Sequence, residues 1–405
     1  MWLSLNLERF PVARIVEPVS VPVTKLDAVV GDGALIGWEE NGTEQTARWR
    51  TANDVPAPSR MIVIEDHYTA KEAYRDASQG VALLWRGDFQ NARQLLEAIE
   101  RRTESAEGAT GGTTAEAFYR YRQARAHRAR ILSMLLIPLE AGGGVPLRRP
   151  PEIREALAGA YDAIDEPSLV SLREVIGAIG ANEWRRKGIH VDALDASIHP
   201  HYGAFFPVRS EYVDLVAQAP LPATDLAFDI GTGTGVLAAV LARRGVSRVV
   251  ATDSEERAVV CARENLARLG LDDRVEVELI DMFPPGRASL VVCNPPWVPA
   301  TSRTLMDNAV YDPKSRMLLR FLGGLALHLT PDGEGWLVLS DLAEHLGLRT
   351  REWLLGAIEN AGLVVLERHD IRPTHPRVGD ANDPLHAARV KEVTSLWRLA
   401  VMSGK

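Results

Sequence analysis

The stretch DLAFDIGTGTG, residues 225–235, decides how the second half of this chain folds. The apolar run Leu226–Ile230 stops at Gly231, and glycines return at 233 and 235 before a second apolar run opens at Val236. Glycine tolerates left-handed backbone and lets a neighbouring group come close, so the pattern reads as strand, tight turn and helix. The spacing G-x-G-x-G departs from the dinucleotide fingerprint G-x-G-x-x-G. Taken alone, such a turn is also what any close strand–helix junction needs.

Outward from this turn, two kinds of run alternate. Strand-like runs occupy 225–230, 247–253, 275–281, 289–293, 335–340 and 363–368, with helical runs at 236–244, 255–269, 314–329 and 348–361. Such alternation predicts βαβ units and a mainly parallel sheet covered on both faces. A last run, TSLWRLAV at 394–401, suits an antiparallel closing strand. The expected class is therefore α/β, with a doubly wound, mainly parallel, seven-stranded Rossmann-like sheet in residues 196–405. Ligands of such sheets bind at the carboxyl ends of the strands.

Three further strand ends carry chemistry. Asp253 ends the second strand, where a carboxylate can accept both hydroxyls of a ribose. Asp281, Met282 and Phe283 end the third, an acceptor and apolar surface that suit an adenine. After the fourth comes Asn294-Pro295-Pro296-Trp297, and proline cannot continue a ladder. Each Asp alone could equally cap a helix, and Asn-Pro alone could be a turn.

Together, DIGTGTG (229–235), VVATD (249–253), LIDMF (279–283) and NPPW (294–297) resemble the class I S-adenosylmethionine-dependent methyltransferases. The resemblance implies that the loop Gly231-Thr232-Gly233-Thr234-Gly235, entered from Asp229, wraps the methionine part of the cofactor. It implies that Asp253 holds the ribose and that Asp281 and Met282 border the adenine. A nicotinamide dehydrogenase would use Asp253 but has no use for NPPW. The motif suits methyl transfer to a planar nitrogen, whose lone pair is delocalised. Two acceptors, the Asn294 side-chain carbonyl and the Pro295 backbone carbonyl, can grip its N–H bonds. Pro295 and Pro296 fix the backbone, and Trp297 can cover the planar group. Asn294 thus sits on the catalytic and the cofactor side at once.

NPPWVPA (294–300) is similar to the NPPY-I-P form of the release-factor glutamine methyltransferases, the HemK-like family, with Trp297 in place of Tyr. FFPVRSEYVDLV (205–216) resembles that family's Pro-Arg segment, although the order Pro207-Val208-Arg209 departs from it. Residues 310–340 match in outline but lack the family's Gly-Gly-x-Gly-Leu loop. Small-domain methyltransferases, including ribosomal RNA guanine enzymes, also pair an N-terminal domain with this half, but their NPPF-His places His where Val298 stands. The favoured acceptor is a protein glutamine carboxamide, with a translation factor as partner. The alternatives are an RNA or DNA exocyclic amine (adenine N6 or guanine N2), a small natural-product amine or amide, and a non-enzymatic cofactor-binding scaffold.

Residues 1–195 read as a substrate-recognition region, with β-like runs over 21–66 and helices from about 88 onward. Asp88 suits an N-cap for Phe89, Ala92, Leu95, Leu96 and Ile99; further helices are predicted over 116–137 and 152–186. AEGATGGTTAE (106–116) and AGGGVP (141–146) read as flexible loops or linkers. Arg120, Arg122, Arg125, Arg128 and Arg130 make 118–130 either a solvated helix or a contact surface for RNA or an acidic partner. His199 and His201 lack a third ligand, so no metal site is expected. Tyr202 and Phe205 suit packing or gating near the cofactor mouth, the loop from Thr301 to Asp312 a substrate cover, and 372–389 another part of the rim.

Composition bounds the rest. The 405 residues, 46% hydrophobic and 25% charged, are ordinary for a soluble protein of two or three domains. A net charge of −8 argues against a broad nucleic-acid surface. The only cysteines, Cys261 and Cys293, have no metal-ligand spacing and fit a reduced, cytoplasmic compartment. The start lacks a signal-peptide pattern, and the longest apolar stretch, Ile131 to Leu139, falls short of the roughly 20 residues of a membrane span.

Overall fold

The computed structural model describes residues 24–25, 33–104, 113–204, 210–374, 378–381 and 383–402. Phe205 to Arg209, and residues 106–112 of the first glycine-rich stretch, lie outside them.

The front of the chain builds a seven-stranded sheet from β1 (Thr24–Lys25), β2 (Leu35–Glu40), β3 (Thr43–Arg50), β4 (Arg60–Ile64), β5 (Ala82–Trp85), β6 (Leu135–Leu139) and β7 (Ser168–Ser171), in the order β1-β4-β5-β6-β7-β3-β2. Strands β4, β5 and β6 run parallel, and their near-continuous apolar sequences reflect burial on both faces. Ile62, Ile64, Leu83 and Trp85 pack under helices, against Ala73, Phe89, Ile99 and Val175. The alternate residues Met61, Ala82 and Leu84 meet Ile36, Trp38 and Trp49 of the β2–β3 hairpin. Asp88 caps the helix Phe89–Glu104 as expected, its Oδ1 accepting from Gln90 N at 2.9 Å.

Three expectations for this region give way. The helix predicted over 116–137 spans Thr114–Leu132, and the apolar LLIPL that follows is β6. The segment 152–186 holds the helix Arg154–Ala160, then β7, then the helix Leu172–Lys187. Both strands are short runs buried on every side chain, which periodicity cannot tell from buried helix. The described part of this region therefore mixes strands with helices beyond residue 88, and is not helical from there on. Of the two readings of AGGGVP, it is a loop and not a linker: Glu140 N donates to Gly144 O at 2.7 Å and Gly142 N to Ile164 O at 2.7 Å, closing a tight turn inside this sheet domain.

A small hairpin, β8 (Ile189–Val191) with β9 (Ala196–Ile198), already packs Val191, Leu194 and Ile198 into the second core. The second sheet comprises β10 (Leu226–Ile230), β11 (Arg248–Asp253), β12 (Val275–Leu279), β13 (Ala288–Cys293), β14 (Leu329–Ser340), β15 (Leu363–Ile371) and β16 (Thr394–Val401). Its order is β12-β11-β10-β13-β14-β16-β15, with β16 antiparallel to both neighbours. All seven expected strands are present, β14 starting six residues earlier than the 335 read from sequence. The helix Val236–Arg243 fills one face of the sheet and Arg316–His328 the other. Strand order reverses at β10, which has β11 on one side and β13 on the other, and a doubly wound sheet opens its ligand crevice at that point.

The two domains meet beside this crevice. Phe118, on the helix Thr114–Leu132, shares an apolar cluster with Val298, Ala300, Tyr311, Leu346 and Leu385 of the second domain. Among the described residues, no helix is long and apolar enough to cross a membrane.

Candidate active site

The register of three adjacent strands assembles the site. Ile230 pairs with Thr252 on one side and with Cys293 on the other, so Gly231, Asp253 and Asn294 emerge at the same edge. Gly231, Gly233 and Gly235 adopt φ of +72°, +57° and +82°, a left-handed sequence that other residues reach only with strain. The sequence alone placed this turn because only glycine runs allow it.

Asp229 works beneath the loop. Its Oδ2 accepts from Thr232 Oγ1 at 2.6 Å and from Ala238 N at 3.1 Å, and burial pushes its carboxyl up to about 6. Asp253 faces the crevice with one N–H on each oxygen, Gly233 N at 2.9 Å and Glu255 N at 3.0 Å. Burial raises its pKa while these N–H groups pull it down. A carboxylate has about four lone-pair sites, so Asp253 keeps acceptor capacity beyond these bonds. Thr234 is buried, and its Oγ1 has no hydrogen-bond partner among the described residues.

At the third strand end, β12 stops at Leu279, two residues short of Asp281. Asp281 is exposed and paired with Arg320 at 2.9 Å and 3.0 Å. Met282 is buried at φ +85°, rare for a non-glycine, and its carbonyl accepts from Thr252 Oγ1 at 2.6 Å. Phe283 packs against the same apolar cluster as Met282. Its ring stacks on His328 at 4.3 Å, over a gap left by Gly324.

The fourth strand end carries Asn294, whose Oδ1 accepts from Trp297 Nε1 at 2.8 Å. Trp297 stands edge-on to buried Tyr212, ring centroids 6.5 Å apart. Its carbonyl accepts from Arg349 at 3.4 Å, and burial lowers the pKa of that guanidinium. The sequence reading missed Asn265, which accepts from His199 N at 2.8 Å and donates to Thr234 O at 3.1 Å, bracing the glycine loop. It also missed Arg349, Thr252 and Tyr212. These residues act through contacts distant in sequence, and no motif spacing marks them.

The remaining candidates sort by place. His201 binds Glu264 at 2.8 Å and His199 binds Arg185 O, and no metal-type cluster exists among the described residues. Tyr202 packs on the first domain's core. Of the arginines on the helix Thr114–Leu132, Arg122 reaches Tyr311 and Arg128 pairs with Glu100, so these two are engaged within the chain. The expected substrate cover, Thr301 to Asp312, contains a short helix, Leu305–Asn308, and is tied to both domains.

With this geometry in view, residues 215–351 match the family described as methyltransferase small domain. This part of the chain resembles a methyltransferase small domain. The matched span runs from the helix before β10 through the motif to the end of β14 and beyond. Relatives include a release factor glutamine methyltransferase of Cereibacter sphaeroides, 34% identical over 130 residues, covering 31% of this chain and 43% of that protein. A second of the same name, from Deinococcus radiodurans, is 43% identical over 163 residues, covering 39% of this chain and 55% of the relative. A tRNA1(Val) (adenine(37)-N6)-methyltransferase of Bacteroides thetaiotaomicron is 29% identical over 172 residues, covering 39% and 70%. The chain thus spans about half the length of the glutamine methyltransferases it matches.

The cofactor that this resemblance implies is S-adenosylmethionine. The residues present suit it. Three left-handed glycines form the turn at the strand end, and beside it Asp253 is a largely buried carboxylate held by the Gly233 and Glu255 N–H groups.

Proposed function

We propose that the chain is an S-adenosylmethionine-dependent N-methyltransferase acting on a planar nitrogen, with a protein glutamine carboxamide as acceptor. The observation that carries this is the position of Asn294. It stands at the strand end beside the glycine loop, and a hydrogen bond from Trp297 fixes its amide. Bound cofactor supplies a methyl group already activated on a sulfonium. What remains for the protein is positioning.

Asp253 takes the ribose hydroxyls on its free lone pairs, the loop from Gly231 to Gly235 wraps the methionine part, and Asp281 and Met282 border the adenine. Asp281 does so while sharing its carboxylate with Arg320. One lone pair of Asn294 Oδ1 is taken by Trp297, and the second accepts an N–H of the substrate, with Pro295 O as the other acceptor. The prolines hold both carbonyls in place. The first domain recognises the acceptor. Similarity to enzymes named for glutamine and for adenine N6 supports a planar nitrogen in either case.

Incubating the protein with tritiated S-adenosylmethionine and cell lysate, then with protease or nuclease, tests the acceptor. Protease-sensitive label supports a protein substrate. Label lost to nuclease alone rejects it in favour of an RNA or DNA amine. Absence of S-adenosylmethionine binding in isothermal titration, at high micromolar cofactor, would reject methyl transfer altogether.

A further inference from the structure

Building on that reading, we infer that Arg122 is a positioning residue for the NPPW motif, acting from the first domain through the loop Thr301 to Asp312. The Arg122 guanidinium lies 3.9 Å from the Tyr311 ring centroid and donates to Thr301 O, so one planar cation grips both ends of the loop. Midway, Leu305 N donates to Asn53 Oδ1 at 3.1 Å, and Asn53 is itself held by Glu174 at 3.0 Å. The first domain therefore grips the loop at three points.

The loop in turn holds the motif. Val298, next to Trp297, donates to Val310 O at 3.2 Å and accepts from Asp312 N at 2.9 Å. The Asp312 carboxylate accepts from Met317 N at 3.0 Å and Leu318 N at 3.1 Å, capping the helix Arg316–His328. Met317 packs against Gly231, where an added Cβ would stand 2.7 Å from its Cε. An unbroken chain of contacts thus runs from Arg122 to both halves of the site. Stacking on a ring while donating in its plane is what a guanidinium does and an ammonium cannot reproduce.

Hydrogen exchange on the full chain tests this with wild type, Arg122→Ala, Arg122→Lys and Arg185→Ala. The last variant cuts the Arg185–Glu264 pair (3.0 Å), a contact between the same two domains away from the motif. Amides over 298–312 should exchange about tenfold faster in Arg122→Ala, by an intermediate factor in Arg122→Lys, and at the wild-type rate in Arg185→Ala. Amides of β10 and β11 should stay protected throughout. Turnover on the labelled lysate fraction should fall about tenfold in Arg122→Ala, with the cofactor dissociation constant unchanged. Equal loop exchange in wild type and Arg122→Ala, a uniform rise across the chain, or a loosened loop with wild-type turnover would each overturn the inference. If wild type binds no cofactor, methyl transfer is what fails, and the exchange pattern still decides whether Arg122 holds the loop.

Discussion

Trp297 and Asn294, three residues apart, are joined by an indole-to-amide hydrogen bond of 2.8 Å. An indole N–H can only donate, so the amide atom facing it is the carbonyl oxygen. The aromatic of the motif thereby settles which way the amide points, a choice that an isolated asparagine leaves open. Trp297→Phe keeps the ring and removes the donor. A net hydrogen bond of about 1–1.5 kcal/mol corresponds to roughly a tenfold loss in kcat, with cofactor affinity unchanged. Steady-state kinetics at saturating cofactor measure it, and wild-type kcat would show that the bond orients nothing.

Asn294→Ala removes the acceptor itself. Cofactor binding by titration calorimetry should be retained while turnover falls by about 100- to 1000-fold, the usual cost of losing a preorganised polar group at a reacting centre. Turnover at the wild-type rate would remove the amide from the mechanism.

Asp253→Ala should weaken S-adenosylmethionine binding by about 10- to 100-fold, since hydrogen bonds to a charged acceptor are worth about 1.5–3 kcal/mol. The substitution also frees Gly233 N and Glu255 N, so a thermal melt must accompany the titration. Unaltered affinity in a folded variant would place the ribose elsewhere.

Gly231→Ala and Gly235→Ala should differ. Both force a side chain into left-handed backbone, costing about 1–2 kcal/mol. At Gly231 the new methyl meets only the mobile end of Met317. At Gly235 it meets Ala262 Cβ at 3.2 Å and Cα at 3.3 Å, on a helix that cannot step back. Melting temperatures should therefore fall in the order wild type, Gly231→Ala, Gly235→Ala.

Asp229 gives stability a pH dependence of definite sign. With its native carboxyl at about 6, the folded chain holds a proton that the unfolded chain has lost above roughly pH 4. Its contribution to stability therefore falls as pH rises through that window, by up to about 3 kcal/mol. Urea unfolding of wild type and Asp229→Asn should show the wild-type advantage larger near pH 4 than near pH 7. Parallel curves would mean that the carboxyl is not shifted.

The second domain was legible because its signals are local. Glycines, acidic strand ends and Asn-Pro-Pro each mark the place where a strand stops, and seven such runs fix a doubly wound sheet. The first domain was not legible to the same degree. LLIPL and SLVS are buried on all sides, so neither alternation nor helical period separates them from the flanking helices. Of the site, the backbone turn and its carboxylates could be read. Arg349 under Trp297 and Asn265 under the glycine loop could not, because each pairs across the fold. The arginines at 118–130 looked like a spread of surface charge, and only the docked helix separates Arg122 from its neighbours.

The apolar strip around Phe118 also bears on how the chain is made. Phe118 leaves the ribosome 180 residues before Val298, a buried member of the shared cluster from the second domain. At common synthesis rates that interval is about 10–40 s. Once its last helix, Leu172–Lys187, has emerged, the first domain can fold around its own sheet while the docking face of its arginine-bearing helix stays wet. A nascent chain stalled between residues 200 and 300 should accordingly draw holdase chaperones to that helix, and release them once the motif and its loop arrive to cover it.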